Sequence, residues 1–520
     1  MASCPEQLNF ARHLFELNAG RAAKTAYLDG RRTLTYGELA QRSAHFAGLL
    51  KKMGLHREER ILLLVYDTVD WPVCFLGALL AGVVPIAANT LLTADDYAYM
   101  LHNSRCQAAV VSPALLPTLQ QAMSRTSHEI TRILVAQPQE PLAEGLMDLE
   151  TELAQAPALA AVQTETDEVA FWLYSSGSTG LPKAVAHTHG NLWHTADLYG
   201  KPILGVREDD IVFSAAKMFF AYGLGNALTF PLSVGATVVL LSGRPTVEAV
   251  CEHLTRYRPT VFCGVPTLYA SMLSSPLLPA RDQVALRVCA SAGEALPQDL
   301  GDRFTEHFGC YILDGIGSTE MLHIFLTNQL GDIRYGTTGK PVPGYEVELR
   351  DENGQAVPVG QIGDLYIKGP SAALMYWHNR KKSRDTFLGE WLKSGDKYAL
   401  DAEGYYTYAG RSDDMIKVSG QYVSPIEVEN TLIQHPLVLE AAVIGAPDHE
   451  NLVKTVAYVV LRPGVVRDEA TEPELKAFVK SKLAPYKYPR TITFLDELPK
   501  TATGKIQRFR LRQQHDNVPA

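Results

Sequence analysis

Strand-length apolar runs alternate with amphipathic helical stretches through the first three-quarters of this 520-residue chain. The strand-like runs lie at 169–177, 236–241, 260–265, 286–293 and 310–315. Between the second and third runs, five residues at helical spacing share one apolar face: Val247, Val250, Cys251, Leu254 and Tyr257. Strands that are apolar along their whole length must be covered on both faces. The alternation therefore predicts parallel sheet with helices on each side.

Length and composition indicate an ordinary globular protein of two to four domains. The chain is 46% hydrophobic and 20% charged, and its net charge of −9 argues against a dedicated nucleic-acid binder. Its seven cysteines have neither metal-ligand nor disulfide spacing, so we expect buried thiols. The uncharged stretches Trp71–Ala94 and Met218–Gly243 contain Gly and Pro, and each predicts a buried helix followed by a buried strand. Without a signal or membrane segment, a cytoplasmic location is expected.

The pattern changes near residue 345, where two strands are predicted around a turn at Asn353-Gly354. A polar stretch at 410–421 interrupts the chain, and Ser424-Pro425-Ile426-Glu427 then has the form of a helix start. We place a domain boundary at about 412. This predicts an α/β N-terminal domain, 1–412, and a small α+β C-terminal domain, 413–520.

The segment YSSGSTGLPK, from Tyr174 to Lys183, has the composition of an anion-binding loop. It follows an apolar strand and precedes a helical stretch near Gly190, which predicts a strand-to-helix turn. Its glycines allow backbone N–H groups to converge, and Lys183 adds a positive charge, so a polyphosphate is a suitable ligand. No Walker A sequence occurs in the chain. The alternative is a plain Gly/Ser connection.

Six motifs in order resemble those of the adenylate-forming superfamily, which includes acyl- and aryl-coenzyme A synthetases, adenylation domains of peptide synthetases and luciferases. The motifs are YSSGSTGLPK (174–183), SAGEAL (291–296), DGIGSTE (314–320), WLKSGD (391–396), GRSDDMIKVSG (410–420) and PKTATGK (499–505). The run from Lys183 through Asn226 also resembles benzoate–coenzyme A ligases. The resemblance implies a large N-terminal domain with parallel-rich sheets, helices and a β-barrel-like part, and a mobile C-terminal lid.

The resemblance implies ATP, Mg²⁺ and coenzyme A as ligands. Residues expected to hold the β- and γ-phosphates are Ser175, Ser176, Gly177, Ser178, Thr179, Gly180 and Lys183. Thr319 would bond the α-phosphate, and Glu320 would bind Mg²⁺, a cation that prefers carboxylate and phosphate oxygens. Those expected to border the adenine are Gly293, Glu294, Ala295, Asp314, Gly315 and Ile316. Ile316 replaces the family's usual aromatic stacking residue. Asp396, helped by Arg411, would accept the ribose hydroxyls.

Lys505 is the expected catalytic residue of the first step. In the family this lysine bridges the substrate carboxylate and the α-phosphate, where a fixed cation is worth several kcal/mol, roughly two to three powers of ten in rate. The same segment resembles a site of reversible lysine acetylation, so an acetyltransferase and a deacetylase are expected partners. Between the steps the small domain would rotate about Asp413, and Lys417 to Gly420 would line the pantetheine tunnel.

The predicted acid slot is short and mostly apolar. Its expected residues are Phe220, Ala221, Tyr222, Gly223, Gly317, His323 and Ile324. No carboxylate occurs between Asp210 and Glu248 to pair with an amino-acid ammonium group. Buried aromatic side chains favour an aryl ring by stacking and area burial, so benzoate is the predicted acid. Packing in the core is the alternative role for Phe219 and Phe220.

The expected function is an AMP-forming benzoate–coenzyme A ligase that acts as a monomer or homodimer, with neither nucleic acid nor membrane as a partner. One alternative is an aryl-acid adenylating enzyme that takes another small aromatic acid or loads a carrier protein. A second is a non-catalytic nucleotide-binding or scaffold protein, which would have no use for Lys505 or Glu320. Luciferase-type oxidation is a third.

Overall fold

The computed structural model describes residues 3–175, 182–412, 414–418, 421–447, 453–465, 467–483, 487–500 and 506–516. The chain divides into two compact units, residues 1–347 with 367–392 and residues 348–366 with 393–520. The boundary at about 412 stays a prediction.

The strands of the described residues, in chain order, are β1 (Thr25–Leu28), β2 (Thr33–Thr35), β3 (Arg60–Leu64), β4 (Val84–Ala87), β5 (Ala108–Val111), β6 (Arg132–Val135), β7 (Leu146–Asp148), β8 (Val169–Ser175), β9 (Lys183–Thr188), β10 (Ile211–Ser214), β11 (Thr237–Val239), β12 (Val261–Gly264), β13 (Val288–Ala292), β14 (Ile312–Gly317), β15 (Ile324–Thr327), β16 (Lys340–Pro341), β17 (Glu346–Arg350), β18 (Ile362–Lys368), β19 (Met375–Tyr376), β20 (Phe387–Leu388), β21 (Trp391–Leu400), β22 (Tyr406–Arg411), β23 (Ile416–Val418), β24 (Gln421–Val423), β25 (Val438–Pro447), β26 (Val453–Leu461) and β27 (Thr491–Phe494).

The α-helices are α1 (Phe10–Leu17), α2 (Tyr36–Lys52), α3 (Asp70–Ala81), α4 (Ala94–Ser104), α5 (Leu116–Arg125), α6 (Leu149–Gln155), α7 (His189–Thr195), α8 (Ala221–Leu224), α9 (Phe230–Val234), α10 (Val247–Arg256), α11 (Pro266–Leu273), α12 (Gln298–Phe308), α13 (Arg380–Thr386), α14 (Pro425–Ile433), α15 (Thr471–Lys482) and α16 (Arg508–Asp516). Two π-helical turns, Ala196–Gly200 and Gly225–Thr229, extend α7 and α8.

Two large sheets form the frame of the first unit. In the described residues one has the order β16-β15-β14-β13-β12-β10-β11-β1-β2, and the other β19-β9-β8-β4-β3-β5-β6-β7. The runs from β14 to β1 and from β8 to β7 are parallel, whereas the flanking strands are antiparallel. Each of the five strands expected from the apolar runs is present. The predicted parallel, helix-covered sheets are therefore confirmed.

Alternation along β3 shows how the core is layered. Ile61 and Leu63 belong to an apolar cluster that includes residues of α2, α3 and both sheets, whereas Leu62 and Leu64 pack with α4 and α5. The nine-stranded sheet has a similar outer layer, in which Phe262 and other strand residues pack with α10, α11 and α12. Successive residues of each strand thus point to opposite faces of the sheet, and both faces are buried.

The two uncharged stretches have the predicted form. Helix α3 is buried along its whole length, and β4 follows it after Gly82, whose left-handed φ of 69° ends the helix. Residues 221–234 are helical and lead into β11. Among the described residues, no helix combines the length and apolar character that a membrane span requires. Six of the cysteines are buried, and Cys4 is half-buried.

One local prediction was wrong. The segment between β8 and β9 does not lead directly into a helix, because Ser175 pairs with Lys183 in an antiparallel ladder. Helix α7 begins only at His189, after β9. Strands β8 and β9 are therefore antiparallel neighbours, and the N-terminus of α7 lies at the opposite end of β9 from Lys183. Residues 176–181 between the two strands lie outside the described residues.

A further sheet has the order β17-β18-β21-β20, with β22 paired to β21. The turn after β17 has Gly354 at φ 79°, as the Asn-Gly signal predicted. In the C-terminal part, β25-β26-β27 form a three-stranded sheet with an apolar cluster on each face. Helix α14 begins as expected, with the Ser424 side chain accepting a hydrogen bond from the Glu427 N–H and Pro425 at the first position.

Candidate active site

The segments that follow β10, β13 and β14 carry many of the predicted site residues of the first unit. Residues 217–222 follow β10, 293–295 follow β13 and 318–323 follow β14. The carboxyl ends of neighbouring parallel strands meet at one edge of a sheet, which is where ligands bind in open α/β sheets. The fold therefore brings the predicted adenine and acid-binding residues to one edge.

Glu320 lies at the centre of a small polar cluster. Its Oε1 accepts hydrogen bonds from the Tyr376 hydroxyl at 2.7 Å and from Ser175 Oγ at 3.4 Å. Lys183 Nζ lies 4.0 Å from the same oxygen and 4.6 Å from the centre of the Tyr376 ring. The structure thus brings Ser175 and Lys183 together with Glu320, which lies more than a hundred residues further along the sequence.

Buried polar side chains fix the backbone of the loop after β14 through hydrogen bonds. His187 Nε2 lies 2.8 Å from the Thr319 carbonyl, which can only accept, so this nitrogen carries the proton. The Asn191 amide donates to His187 Nδ1 at 2.9 Å and to the Ser371 carbonyl. Burial lowers the pKa of His187 to about 4, so the ring is neutral and keeps this donor–acceptor pattern at neutral pH.

The same loop contains a strained residue. Leu322 has a φ of 65°, a conformation that is unfavourable for a bulky L-residue, and its side chain is buried. Ser371 Oγ donates to the Met321 carbonyl at 2.8 Å, and the Met321 N–H bonds to Ser318 Oγ at 3.1 Å. Such strain persists only where surrounding contacts fix the backbone, and it is frequent at functional sites.

On the predicted adenine side, Asp314 is buried in β14 opposite Ser291 of β13. Asp314 Oδ1 and Ser291 Oγ have no hydrogen-bond partner among the described residues. Burial raises the pKa of Asp314 to about 8, so its carboxyl is neutral at pH 7. The Glu294 side chain accepts bonds from the Thr267 hydroxyl and N–H, and Gly293 is exposed in the left-handed region.

Ala295, Gly315 and Ile316 complete the predicted adenine border. Ala295 follows β13 directly after Glu294, and Gly315 and Ile316 lie in β14 next to Asp314. A Cβ on Gly315 would lie 2.9 Å from atoms of Ile324 and Thr327, so the neighbouring strand leaves no room for a side chain.

The predicted acid slot is built on a turn that begins at Lys217. The Phe220 N–H bonds to the Lys217 carbonyl at 2.9 Å, and buried Asp67 accepts from the Met218 N–H at 3.3 Å. The Phe219 and Phe220 rings lie 4.6 Å apart, and α8 then begins at Ala221. Phe219 packs in the core, as the alternative reading allowed, whereas Phe220 is only partly buried.

Three aromatic rings pack around the His323 side chain. Its ring centre is 4.5 Å from that of Phe230, 5.1 Å from Tyr199 and 5.5 Å from Tyr222. His323 Nε2 lies 3.3 Å from the Tyr222 carbonyl, and burial lowers the pKa of the ring to about 3. The ring is therefore neutral. Among the described residues, its Nδ1 and the Tyr199 and Tyr222 hydroxyls have no hydrogen-bond partner.

Two predicted slot glycines are required by close packing. A Cβ on Gly223 would lie 2.0 Å from the Lys217 carbonyl oxygen, and one on Gly317 would lie 2.6 Å from the His323 carbonyl oxygen. Ile324 follows His323 as the first residue of β15 and is buried. The structure therefore places Tyr222 and Gly317 against His323, and Gly223 against the turn at Lys217.

The second unit contains its own predicted pair. Asp396 in β21 stands opposite Arg411 in β22, and Arg411 Nη1 donates to Asp396 Oδ1 at 2.9 Å. Asp396 is only 7% exposed, and the Arg411 guanidinium compensates the charge of its carboxylate where little water reaches it. Lys417 pairs with Tyr422 in the hairpin of β23 and β24.

Eight predicted residues lie outside the described residues: Ser176, Gly177, Ser178, Thr179, Gly180, Asp413, Gly420 and Lys505. Their roles stay predictions. In the part of the chain that the structure describes, no group of three or more His, Cys, Asp or Glu could hold a metal ion. A cation bound at Glu320 would therefore take its other oxygen ligands from a bound substrate or from water, as Mg²⁺ commonly does.

Several site residues were not predicted. Tyr376 bonds to Glu320, and His187 bonds to the Thr319 carbonyl. Asn191 donates to His187, and Asp67 holds the turn of the acid slot. His187 and Asn191 lie in the run that resembles benzoate–coenzyme A ligases, so that run was a usable signal. Tyr376 lies in a two-residue strand with no motif around it, and Asp67 follows an apolar strand like many structural residues.

Comparisons with known proteins agree with this geometry. A profile described as AMP-binding enzyme matches residues 14–377, and one described as AMP-binding enzyme C-terminal domain matches residues 427–505. The benzoate–CoA ligase of Thauera aromatica is 55% identical over 514 residues, which cover 98% of this chain and 96% of that protein.

Two solved structures extend the comparison to the fold. A benzoate CoA ligase from Burkholderia xenovorans LB400 is 61% identical with a TM-score of 0.90, covering 97% of this chain and 100% of that one. An anthranilate CoA ligase in complex with anthranoyl-AMP is 42% identical with a TM-score of 0.93, covering 99% and 98%. These matches confirm the predicted fold class and superfamily. The chain belongs to the AMP-binding enzyme family.

Proposed function

We propose that the chain is an AMP-forming benzoate–coenzyme A ligase, which converts benzoate, ATP and coenzyme A to benzoyl-coenzyme A, AMP and diphosphate. The main support is the combination of the Lys183–Glu320 pair with the neutral ring of His323, which lies on the same loop as Glu320. Likeness to the Thauera and Burkholderia benzoate–CoA ligases along nearly the whole chain supports the same acid.

The phosphates of ATP would be held by Lys183, Ser175 and the predicted residues 176–180. Thr319 would bond the α-phosphate. Glu320 fits a Mg²⁺ ion bound to ATP, because both hydrogen bonds described for its carboxylate go to Oε1 and leave Oε2 to coordinate. When bound, the cation would neutralise charge that develops on the phosphate oxygens.

The adenine would lie along Gly293 to Ala295 and Asp314 to Ile316. The orphaned, buried Oδ1 of Asp314 fits this role, because an exocyclic amino group is a donor that could satisfy it. A neutral carboxyl costs less to bury beside an uncharged base than a carboxylate would. In the second unit, Asp396 would accept the ribose hydroxyls, with Arg411 keeping the carboxylate oriented.

Benzoate fits the slot because its ring is apolar and its charge lies at one end. Phe220, Tyr222 and neutral His323 would offer aromatic surface to a flat ring, and Ala221 and Ile324 would add apolar contacts. A charged imidazole would carry a desolvation cost against an apolar ring, so the lowered pKa of His323 favours this substrate. Small ring substituents should be tolerated unevenly, since one methylene is typically worth ~1–3 kcal/mol.

In the first step a benzoate oxygen attacks the α-phosphorus, the bond to the bridging oxygen breaks, and diphosphate leaves. Lys505 would supply the cation at the junction of carboxylate and phosphate. In the second step coenzyme A loses its thiol proton, and the sulfur attacks the acyl carbon while AMP leaves. Lys417 and Gly420 would line the thiol's path, and Asp413 would be the hinge between steps.

The test is incubation with benzoate, ATP, Mg²⁺ and coenzyme A, followed by mass spectrometry of the products. Equimolar benzoyl-coenzyme A and AMP would support the proposal. Benzoyl-AMP that forms but does not react with coenzyme A would favour the alternative, a protein that loads a carrier. Much higher efficiency with acetate or a long-chain acid would refute the choice of substrate.

Regulation and assembly extend the proposal. Acetylation of Lys505 would remove the charge needed for adenylation, and mass spectrometry of acetylated protein with full adenylation activity would refute both roles. A monomer or homodimer and a cytoplasmic location stay predictions.

A further inference from the structure

We infer that Tyr376 is a positioning residue that keeps Lys183 and Glu320 apart, so that one can face phosphate and the other Mg²⁺. The inference rests on the proposed function for the roles of those two residues. It concerns a side chain that none of the sequence motifs includes.

Tyr376 touches both residues at once. Its hydroxyl donates to Glu320 Oε1 at 2.7 Å, and its ring face lies 4.6 Å from the Lys183 ammonium nitrogen. The ammonium nitrogen and the same carboxylate oxygen are 4.0 Å apart, longer than a charge-assisted hydrogen bond of about 2.8 Å. The hydroxyl and the ring of Tyr376 therefore keep Lys183 and Glu320 from forming a direct ion pair.

The position of Tyr376 is fixed by its strand and by its neighbours. Tyr376 pairs with Val185 across the antiparallel edge of the sheet, so Lys183 is its diagonal neighbour two residues along β9. Side chains at such diagonal positions lie within reach of each other when they are long or aromatic. The Tyr376 backbone N–H bonds to Ser383 Oγ at 3.0 Å, and its ring packs 5.4 Å from that of Phe387.

The hydrogen bond from Tyr376 to Glu320 and the contact of its ring with Lys183 both favour separation of the two charged groups. The hydroxyl occupies Oε1, the oxygen that faces Lys183, and so directs the free oxygen of Glu320 elsewhere. The ring's negative face stabilises the ammonium without neutralising it, in the way a cation–π contact does. Without Tyr376, a direct ion pair would form and ATP with its Mg²⁺ would have to break it before binding.

The experiment separates the hydroxyl from the ring. Tyr376→Phe removes the hydrogen bond and keeps the ring, whereas Tyr376→Leu removes both. Tyr97→Phe is the matched control, because the buried Tyr97 hydroxyl also donates one bond of 2.7 Å, to the Asn89 carbonyl, away from this cluster. Calorimetric titration with MgATP in the absence of any acid gives a readout that does not depend on turnover.

We expect the Kd for MgATP to rise about tenfold in Tyr376→Phe, the value typical of losing a hydrogen bond to a charged group. Tyr376→Leu should show a larger rise, and Tyr97→Phe a change within about twofold. The Mg²⁺ concentration for half-maximal adenylation should rise in parallel. The reaction of preformed benzoyl-AMP with coenzyme A should stay at the parental rate in all three variants.

A double-mutant cycle tests whether Tyr376 acts through Glu320. In a Glu320→Gln background, Tyr376→Phe should raise the Kd for MgATP by less than twofold. A full tenfold rise in that background, or no rise in the parental one, would overturn the inference. A wrong choice of acid would instead appear as a failure with benzoate while the MgATP titrations keep this pattern.

Discussion

Gly225 lies where an added methyl group would push directly on the predicted acid slot. A Cβ at this position would lie 2.3 Å from His323 Cδ2, 2.7 Å from its Nε2 and 2.8 Å from Phe230 Cζ. Ordinary contacts of a Cβ begin at 3.4 Å, so the His323 ring must move by about 1 Å in Gly225→Ala. The ring has little freedom to do so, because Tyr199, Tyr222 and Phe230 surround it.

The energetic terms in Gly225→Ala oppose each other. Gly225 has an ordinary helical φ of −59°, so alanine would gain about 0.5–1 kcal/mol in backbone entropy. Overpacking in a filled core costs about 1–3 kcal/mol. We expect the clash to win and the free energy of unfolding, from urea titration, to fall by about 1–2 kcal/mol. Displacement of a slot wall by 1 Å should lower kcat/KM for benzoate by about 10- to 100-fold.

Gly20→Ala is the control, because Gly20 is also helical and a Cβ there would have nothing within 4 Å. It should leave kinetics unchanged and stability equal or raised by up to ~1 kcal/mol. In Gly225→Ala the KM for ATP should stay within about twofold of the parental value. An unchanged kcat/KM for benzoate, with the predicted loss of stability, would refute the placement of His323 in the slot.

Three further predictions follow from single residues. Asp314 holds its proton in the folded state up to about pH 8 but loses it near its ordinary pKa of 3.8 when unfolded, so its contribution to stability falls as the pH rises from about 4 to about 8. Asp314→Asn should lack this pH dependence. Its free energy of unfolding, measured by urea titration, should rise relative to that of the parent by on the order of a few kcal/mol between pH 5 and pH 8.5. Parallel pH curves for the two proteins would contradict the assignment. Lys505→Ala should lose roughly two to three powers of ten in benzoate-dependent diphosphate exchange, yet keep thioester formation from benzoyl-AMP; equal loss in both would remove its special role. Asp413→Pro should impair thioester formation more than adenylation, and similar losses in the two half-reactions would rule out the hinge.

Much of the frame could be predicted because it depends on periodicity. Continuous apolar runs such as Val261–Gly264 can be buried only between two covering layers, and the apolar face of Val250, Cys251 and Leu254 can be buried only against such a sheet. The helix start at Ser424-Pro425 could also be predicted, because capping depends on nearest neighbours.

The error at the phosphate loop has a physical cause. Lys183–Thr188 is a short strand whose partner, β8, precedes it across the loop, and Gly/Ser composition does not distinguish a hairpin loop from a strand-to-helix turn. Tyr376 could not be predicted either. Its contact with Glu320 spans 56 residues and depends on the register of a two-residue edge strand, which no local pattern encodes.

Transfer of oxygen from benzoate to AMP tests the acyl-adenylate route most directly. Benzoate labelled with ¹⁸O in both carboxylate positions is incubated with ATP, Mg²⁺ and coenzyme A, and the products are weighed by mass spectrometry. Attack of the carboxylate on the α-phosphorus predicts one ¹⁸O in AMP, one in the carbonyl of benzoyl-coenzyme A and none in diphosphate. Label in the phosphate released with ADP, or unlabelled AMP beside benzoyl-coenzyme A, would contradict it.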